Sequence, residues 1–167
     1  MNKPFPMAGC LSSNRRGLTL IEVVVTLAII AVLAAAALPM SEMAVKRSRE
    51  MELRDALRTI RTAIDNWKDD FDRAVEVGKF IPSIDDTGYP ESLEQLLEGN
   101  DWGGMYPYNR KYLRRIPRDP FDPDDMGWGL RSYRDDWDSM SYGGEDVYDV
   151  YSQSDGIALD GTSYDSW

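Results

Sequence analysis

The stretch from Leu18 to Leu38 limits what this chain can become more than any other. It is 21 residues long, with one charge, Glu22, and two threonines. A helix needs about 20 mostly apolar residues, at about 1.5 Å rise each, to cross a bilayer. The segment has no polar face, so it belongs in lipid or in a large helical core rather than on a small soluble domain. Glu22 is the odd residue, because a carboxylate at the bilayer centre costs about 2.5–3.5 kcal/mol on insertion scales. Near the helix start it either reaches the interface and meets the positive end of the helix dipole, or it waits for a cation.

The flanks of this stretch narrow the choice. A basic pair and a glycine, Arg15-Arg16-Gly17, precede Leu18-Thr19-Leu20-Ile21-Glu22, and the apolar run then continues to Pro39. This arrangement resembles the class III signal of type IV pilins and type II secretion pseudopilins. In that family a prepilin peptidase cuts after the glycine and methylates the new amino terminus. The resemblance implies cleavage between Gly17 and Leu18 and an N-methylated Leu18. Glu22 and Pro39 stand where the family carries its glutamate and its helix-kinking proline, and both are assigned to assembly. A plain signal anchor is the alternative. Met7-Ala8-Gly9-Cys10 faintly resembles a lipoprotein cleavage box, but the six residues before it include two prolines and no apolar region.

The net charge of −10 is unevenly placed. Residues 1–17 carry +3, residues 18–40 carry −1, residues 41–79 balance, and residues 80–167 carry −12. An acidic globular part argues against nucleic acid, which wants a basic face, and is compatible with cations. There is no histidine, which removes the usual general base and much zinc and copper chemistry. The one cysteine, Cys10, lies in the leader, so the processed chain would hold no disulfide.

In order, residues 1–17 read as a leader that is removed, with Met7 as an alternative start. Residues 18–40 read as a transmembrane or filament-core helix, and residues 41–78 as its amphipathic continuation. Residues 79–167 read as an acidic globular domain. Basic residues ahead of the span favour a cytoplasmic amino terminus, although Lys46, Arg47 and Arg49 follow it. The resemblance decides the orientation: a single inner-membrane pass with the globular domain in the periplasm. Pro39 should bend or loosen the helix. Beyond it Leu53, Leu57, Ile60, Ile64, Trp67, Phe71 and Val75 recur at helical spacing, the pattern of a core-covering stripe. Charged residues fill the other face, with Glu50–Arg54 spaced to attract and Asp65–Asp69 to repel. Gly78 is a plausible stop.

Tyr89 to Gly99 predicts a short helix with Pro90 in its first turn. Trp128–Tyr133 and Val147–Tyr151 predict two antiparallel strands around a polar loop, residues 134–146. Together these give an α+β fold: one long N-terminal helix, part membrane and part amphipathic, on a small antiparallel sheet with a loop-rich C-terminal end. Tyr112-Leu113-Arg114-Arg115-Ile116-Pro117-Arg118-Asp119-Pro120 is similar to a stretch of the major pseudopilin, where a leucine and then (I/L)-P-x-D-P follow the short helix.

The tail, from Asp149 to Trp167, is rich in acids and hydroxyls and holds two Asp-Gly steps. Calcium takes six to eight oxygen ligands, although Asp-Gly alone usually marks a turn, and the spacing is not that of an EF-hand. The major pseudopilins end in a serine, Asp-Gly, a polar loop and an Asp before a terminal Trp, and that loop holds one calcium ion. The resemblance therefore implies calcium, with Asp155 and Asp165 as ligands by position. Asp160 is added from the loop itself, and Ser152 or Ser154 offers a carbonyl or hydroxyl.

The function so implied is structural: a subunit of a type II secretion pseudopilus driving protein export. Its partners are further copies of itself, minor pseudopilins, the peptidase, the membrane, and an assembly platform with a cytoplasmic ATPase. No nucleotide-binding motif lies in this chain. The alternative is a type IV pilin or minor pilin for adhesion or motility, which often carries a paired-cysteine loop absent here. A membrane-anchored hydrolase built on Asp135 and Asp136 lacks a histidine, a nucleophile elbow and a phosphate loop.

Overall fold

The computed structural model describes residues 17–122 and 126–167, with the side chains of residues 36–39 left aside. Arg15, Arg16 and the Pro39 side chain thus lie outside the described residues. The chain forms two compact units, Met1–Glu42 and Met43–Trp167.

In the first unit the dominant element is the start of helix α1, which runs from Leu20 to Glu76. The helical backbone continues through position 39. Leu20, Val24, Leu27, Ile30 and Leu33 are all exposed, as an apolar helix without its surroundings must be. This stretch is long and apolar enough to cross a membrane.

The second unit contains the rest of α1, and here the stripe buries. Leu53, Leu57, Ile60, Ile64, Trp67 and Phe71 join one core with Leu93, Leu96, Trp102, Leu113, Trp128, Val147, Val150, Ala158 and Tyr164, while Val75 packs at its edge. The helix ends where the glycine predicts. Gly78 sits at φ +69, its N–H donates to Val75 C=O, and Lys79 N–H donates to Ala74 C=O. That pair of bonds is the Schellman closure, and it needs a left-handed residue at this point.

Helix α2 spans Leu93–Glu98, shorter than the predicted 89–99. Pro90 does not enter its first turn, because its carbonyl accepts the Val147 N–H at 2.7 Å. That bond ties Pro90 to the run leading into the second strand and moves the helix start to Ser92. Strands β1 (Gly129–Arg131) and β2 (Asp149–Tyr151) pair antiparallel, Leu130 opposite Val150. Both are shorter than predicted. After β1 the Ser132 N–H turns to the Asp135 carboxylate and the Asp135 N–H returns to Ser132 C=O. Val147 is diverted to Pro90.

Residues 99–112 are organised by a buried acid on the helix. Asp70 is 1% exposed. It accepts hydrogen bonds from Tyr106 Oη at 3.0 Å, Tyr112 Oη at 2.7 Å and Arg110 at 3.0 Å, and pairs with Arg73 at 2.9 Å. Tyr112 Oη in turn accepts from Trp102 Nε1 at 2.7 Å. A buried carboxylate persists only when paired and hydrogen-bonded, so this knot fixes the segment on the helix. Burial first, and then the bond to Asp70, raise the Tyr112 pKa.

Candidate functional site

The amino-terminal site is built by a helix cap. Gly17, Leu18 and Thr19 precede the first helical residue and are exposed. Thr19 Oγ1 accepts the Glu22 N–H at 3.3 Å, and Val23 N–H donates to Thr19 C=O. Thr19-Leu20-Ile21-Glu22 is therefore one half of a capping box, Thr-x-x-Glu, which satisfies a donor that the first turn leaves open. The Gly17–Leu18 bond lies outside the helix, just ahead of this cap. Glu22 is exposed in the first helical turn. Its carboxylate has no ion-pair partner among the described residues. Such a carboxylate, on a helix apolar all round, can accept a cation supplied from outside the chain.

The C-terminal site is a clamp between the second part of α1 and the tail. Lys46 Nζ donates to Ile157 C=O at 2.5 Å. Glu50, only 6% exposed, accepts from Leu159 N–H at 2.8 Å and Tyr164 Oη at 3.1 Å. Arg54 meets Asp160 at 3.3 Å and lies 4.1 Å over the Trp167 ring. Arg61 pairs with Asp149 at 2.6 Å and donates to Val150 C=O and Trp167 C=O, each at 2.9 Å. Positions 46, 50, 54 and 61 fall along one ridge because four residues slightly exceed a helical turn. The expected Glu50–Arg54 attraction within the helix gives way, since both side chains reach across to the tail instead.

Within the tail, Thr162 donates its N–H and hydroxyl to Asp160 Oδ1 at 3.0 and 2.6 Å. Thr162 Oγ1 also accepts from Trp167 Nε1 at 2.7 Å. Ile157 bridges Ser163, and Tyr164–Ser166 close a single 3-10 turn. The Thr162 bonds, and then Arg54, lower the Asp160 pKa. Desolvation, and then Glu50, push Tyr164 up to about 12.

The four residues expected to hold calcium are not gathered in this arrangement. Asp160 faces Thr162 and Arg54. Buried Ser152 donates its hydroxyl to Asp119, the acid of the Pro117-Arg118-Asp119-Pro120 motif, which also accepts the Phe121 N–H at 2.8 Å. Asp155 is exposed, and Asp165 lies on the 3-10 turn. Among the described residues no three Asp, Glu, His or Cys side chains come together as a metal-binding group. Asp135 accepts from the Ser132 and Gly143 N–H groups, a turn-holding role, and Asp136 is exposed beside it.

Sequence reasoning missed Thr19, Glu50, Asp70 and the partner of Asp119. The Thr-x-x-Glu spacing was a readable signal for the first. A buried acid on a polar-looking face has no local signature.

Comparison with known proteins bears on the amino-terminal site. Residues 12–38 match the family described as the prokaryotic N-terminal methylation motif, the class III signal of pilin-like proteins. No curated protein and no solved structure matches the chain. Such a motif implies processing by a prepilin peptidase and assembly into filaments, and the described residues include one apolar N-terminal helix as a candidate anchor.

Proposed function

We propose that this chain is a structural subunit of a type II secretion pseudopilus. It loses residues 1–17 by cleavage between Gly17 and Leu18, is N-methylated at Leu18, and leaves the inner membrane for a periplasmic filament. The observation that carries this reading is the methylation motif over residues 12–38, set on a helix whose backbone runs on into an acidic packed domain. In the filament the apolar helices pack together, and Glu22 of one subunit pairs with the freed amino group of Leu18 on a neighbour. Each charge left alone there would cost several kcal/mol, and only one axial stagger satisfies both. Pro39 loosens the helix beyond that contact.

The secretion reading is preferred to a type IV pilin for adhesion or motility because of the other end of the domain. Asp119 of the Pro-x-Asp-Pro motif is buried and holds Ser152 at the head of the Asp155-Gly156 tail, so two stretches that resemble the major pseudopilin meet. Partners on this reading are minor pseudopilins, the peptidase and an inner-membrane platform driven by a cytoplasmic ATPase. Calcium belongs to it on the resemblance alone. Asp160 would have to leave Arg54, and Ser152 would have to offer its carbonyl, because its hydroxyl is held by Asp119. An unchanged melting temperature between chelator and millimolar calcium removes the ion from the account. The reading as a whole is tested by replacing Glu22 with Leu in the host. Processed monomer, lost filaments and lost secretion are expected; normal secretion would refute it.

A further inference from the structure

The second unit carries two unmatched surfaces on opposite flanks of α1. The first is a basic strip. Lys111, Arg114 and Arg115 are exposed and have no ion-pair or hydrogen-bond partner among the described residues, whereas Arg110 is taken up by Asp70 and Arg118 is engaged. The strip borders a groove that also presents Glu52 and Asp55 of α1, and its three free cations outnumber those two acids. The second surface is an aromatic platform. Tyr133 stacks on Tyr89 with centroids 5.6 Å apart, and Tyr148 stands edge-on to both at 5.4 and 5.1 Å. Tyr133 is 58% exposed, Tyr148 45% and Trp137 85%. Beside Tyr148 and Trp137 opens a cleft of about 560 Å³ that also exposes Asp65 and Asp136. Its own cations, Arg61 and Arg131, are already held by Asp149.

We propose that consecutive copies of this chain dock flank to flank, with the basic strip of one seated on the aromatic, acid-rimmed platform of the next. Guanidinium groups are bound well by ring faces and carboxylates together, and Tyr, Trp and Arg are the residues enriched at interface cores. The geometry suits a polymer. At about 100° per residue, the helix positions under the strip (52, 55, 56 and 59) lie about 150° around α1 from those at the cleft (61 and 65). Two different patches on opposite flanks make a heterologous contact, which continues from copy to copy instead of closing as a pair. This inference rests on the filament reading above.

The test uses the full chain in host membranes, in a Cys10→Ser background. Arg115→Cys and Trp137→Cys in one chain should give, on mild oxidation, a ladder of disulfide-linked multimers, and either change alone should give none beyond a dimer. Formaldehyde treatment reports assembly through any contact. A formaldehyde ladder without a disulfide ladder overturns the docking and leaves the filament reading standing, while absence of both overturns both. A disulfide product whose mass is not a multiple of the chain assigns the platform to another protein and also overturns it. Charge reversal is a second readout. Arg114→Glu with Arg115→Glu, or Asp65→Lys with Asp136→Lys, should deplete the oligomers, and all four changes together should restore them; failure to restore overturns the pairing.

Discussion

Two stretches of α1 share a backbone and differ in what their side chains do. Among the described side chains from Leu20 to Glu42 the large apolar residues lie open, Leu20 at 83% and Leu33 at 64% exposed. From Met43 to Glu76 the apolar residues are fewer, yet Leu53, Ile60 and Ile64 are wholly buried. The greasier half has no partner among the described residues, and the sparser half organises a core. Hydrophobic content alone says only that a segment must leave water. Periodicity says whether the chain itself supplies the place to go. The first half finds no such place among the described residues, whereas the second packs into the core of its unit.

That contrast can be broken from either end. The largest effect is all-or-none: Gly17→Val should block leader removal, seen by intact mass, and leave the melting temperature unchanged. If it lowered the melting temperature, the halves would not be separable in this way. On the other side, Asp70→Ala removes a buried acid that holds two tyrosines and two arginines, and should cost about 3–5 kcal/mol in denaturant unfolding without impairing processing. Ile64→Ala should cost about 2–5 kcal/mol by the same measurement. A smaller cost is expected for Tyr164→Phe, about 0.5–1.5 kcal/mol for one hydrogen bond to Glu50.

Tyr164→Phe also sharpens the pH dependence. Tyr164 is raised to about 12 in the folded chain, against about 10 unfolded. Its contribution is complete below pH about 10 and lost as pH rises through about 12. The variant should flatten that alkaline decline in a pH series of melts, leaving the part due to Tyr112. The smallest effect lies at the acid end. Asp160 is lowered, so its contribution is present above the unfolded carboxylate value of about 4 and fades as pH falls below it. Asp160→Asn should remove that slope.

The sequence made these regions legible to different degrees. The amino-terminal motif could be read at once, because Arg15 to Glu22 are recognised by their local spacing. The stripe from Leu53 to Phe71 was equally open to view, since core positions repeat with the helix. The tail was harder. Its contacts run from Lys46, Glu50, Arg54 and Arg61 to residues some ninety to one hundred and fifteen positions away, and spacing within α1 suggested that Glu50 and Arg54 would pair with each other. The Pro90–Val147 bond, which shortens α2, is long-range in the same way. Sequence spacing carries no sign of which distant partner outcompetes the near one.

On the proposed function, residues 1–17 are a leader removed so that Leu18 can enter a filament. The most direct test is intact mass and amino-terminal analysis of the chain from host membranes, with and without the prepilin peptidase. A chain beginning at N-methylated Leu18 only when the peptidase is present is expected. A chain that keeps residues 1–17 in both cases would contradict it, and would leave the apolar helix a simple anchor.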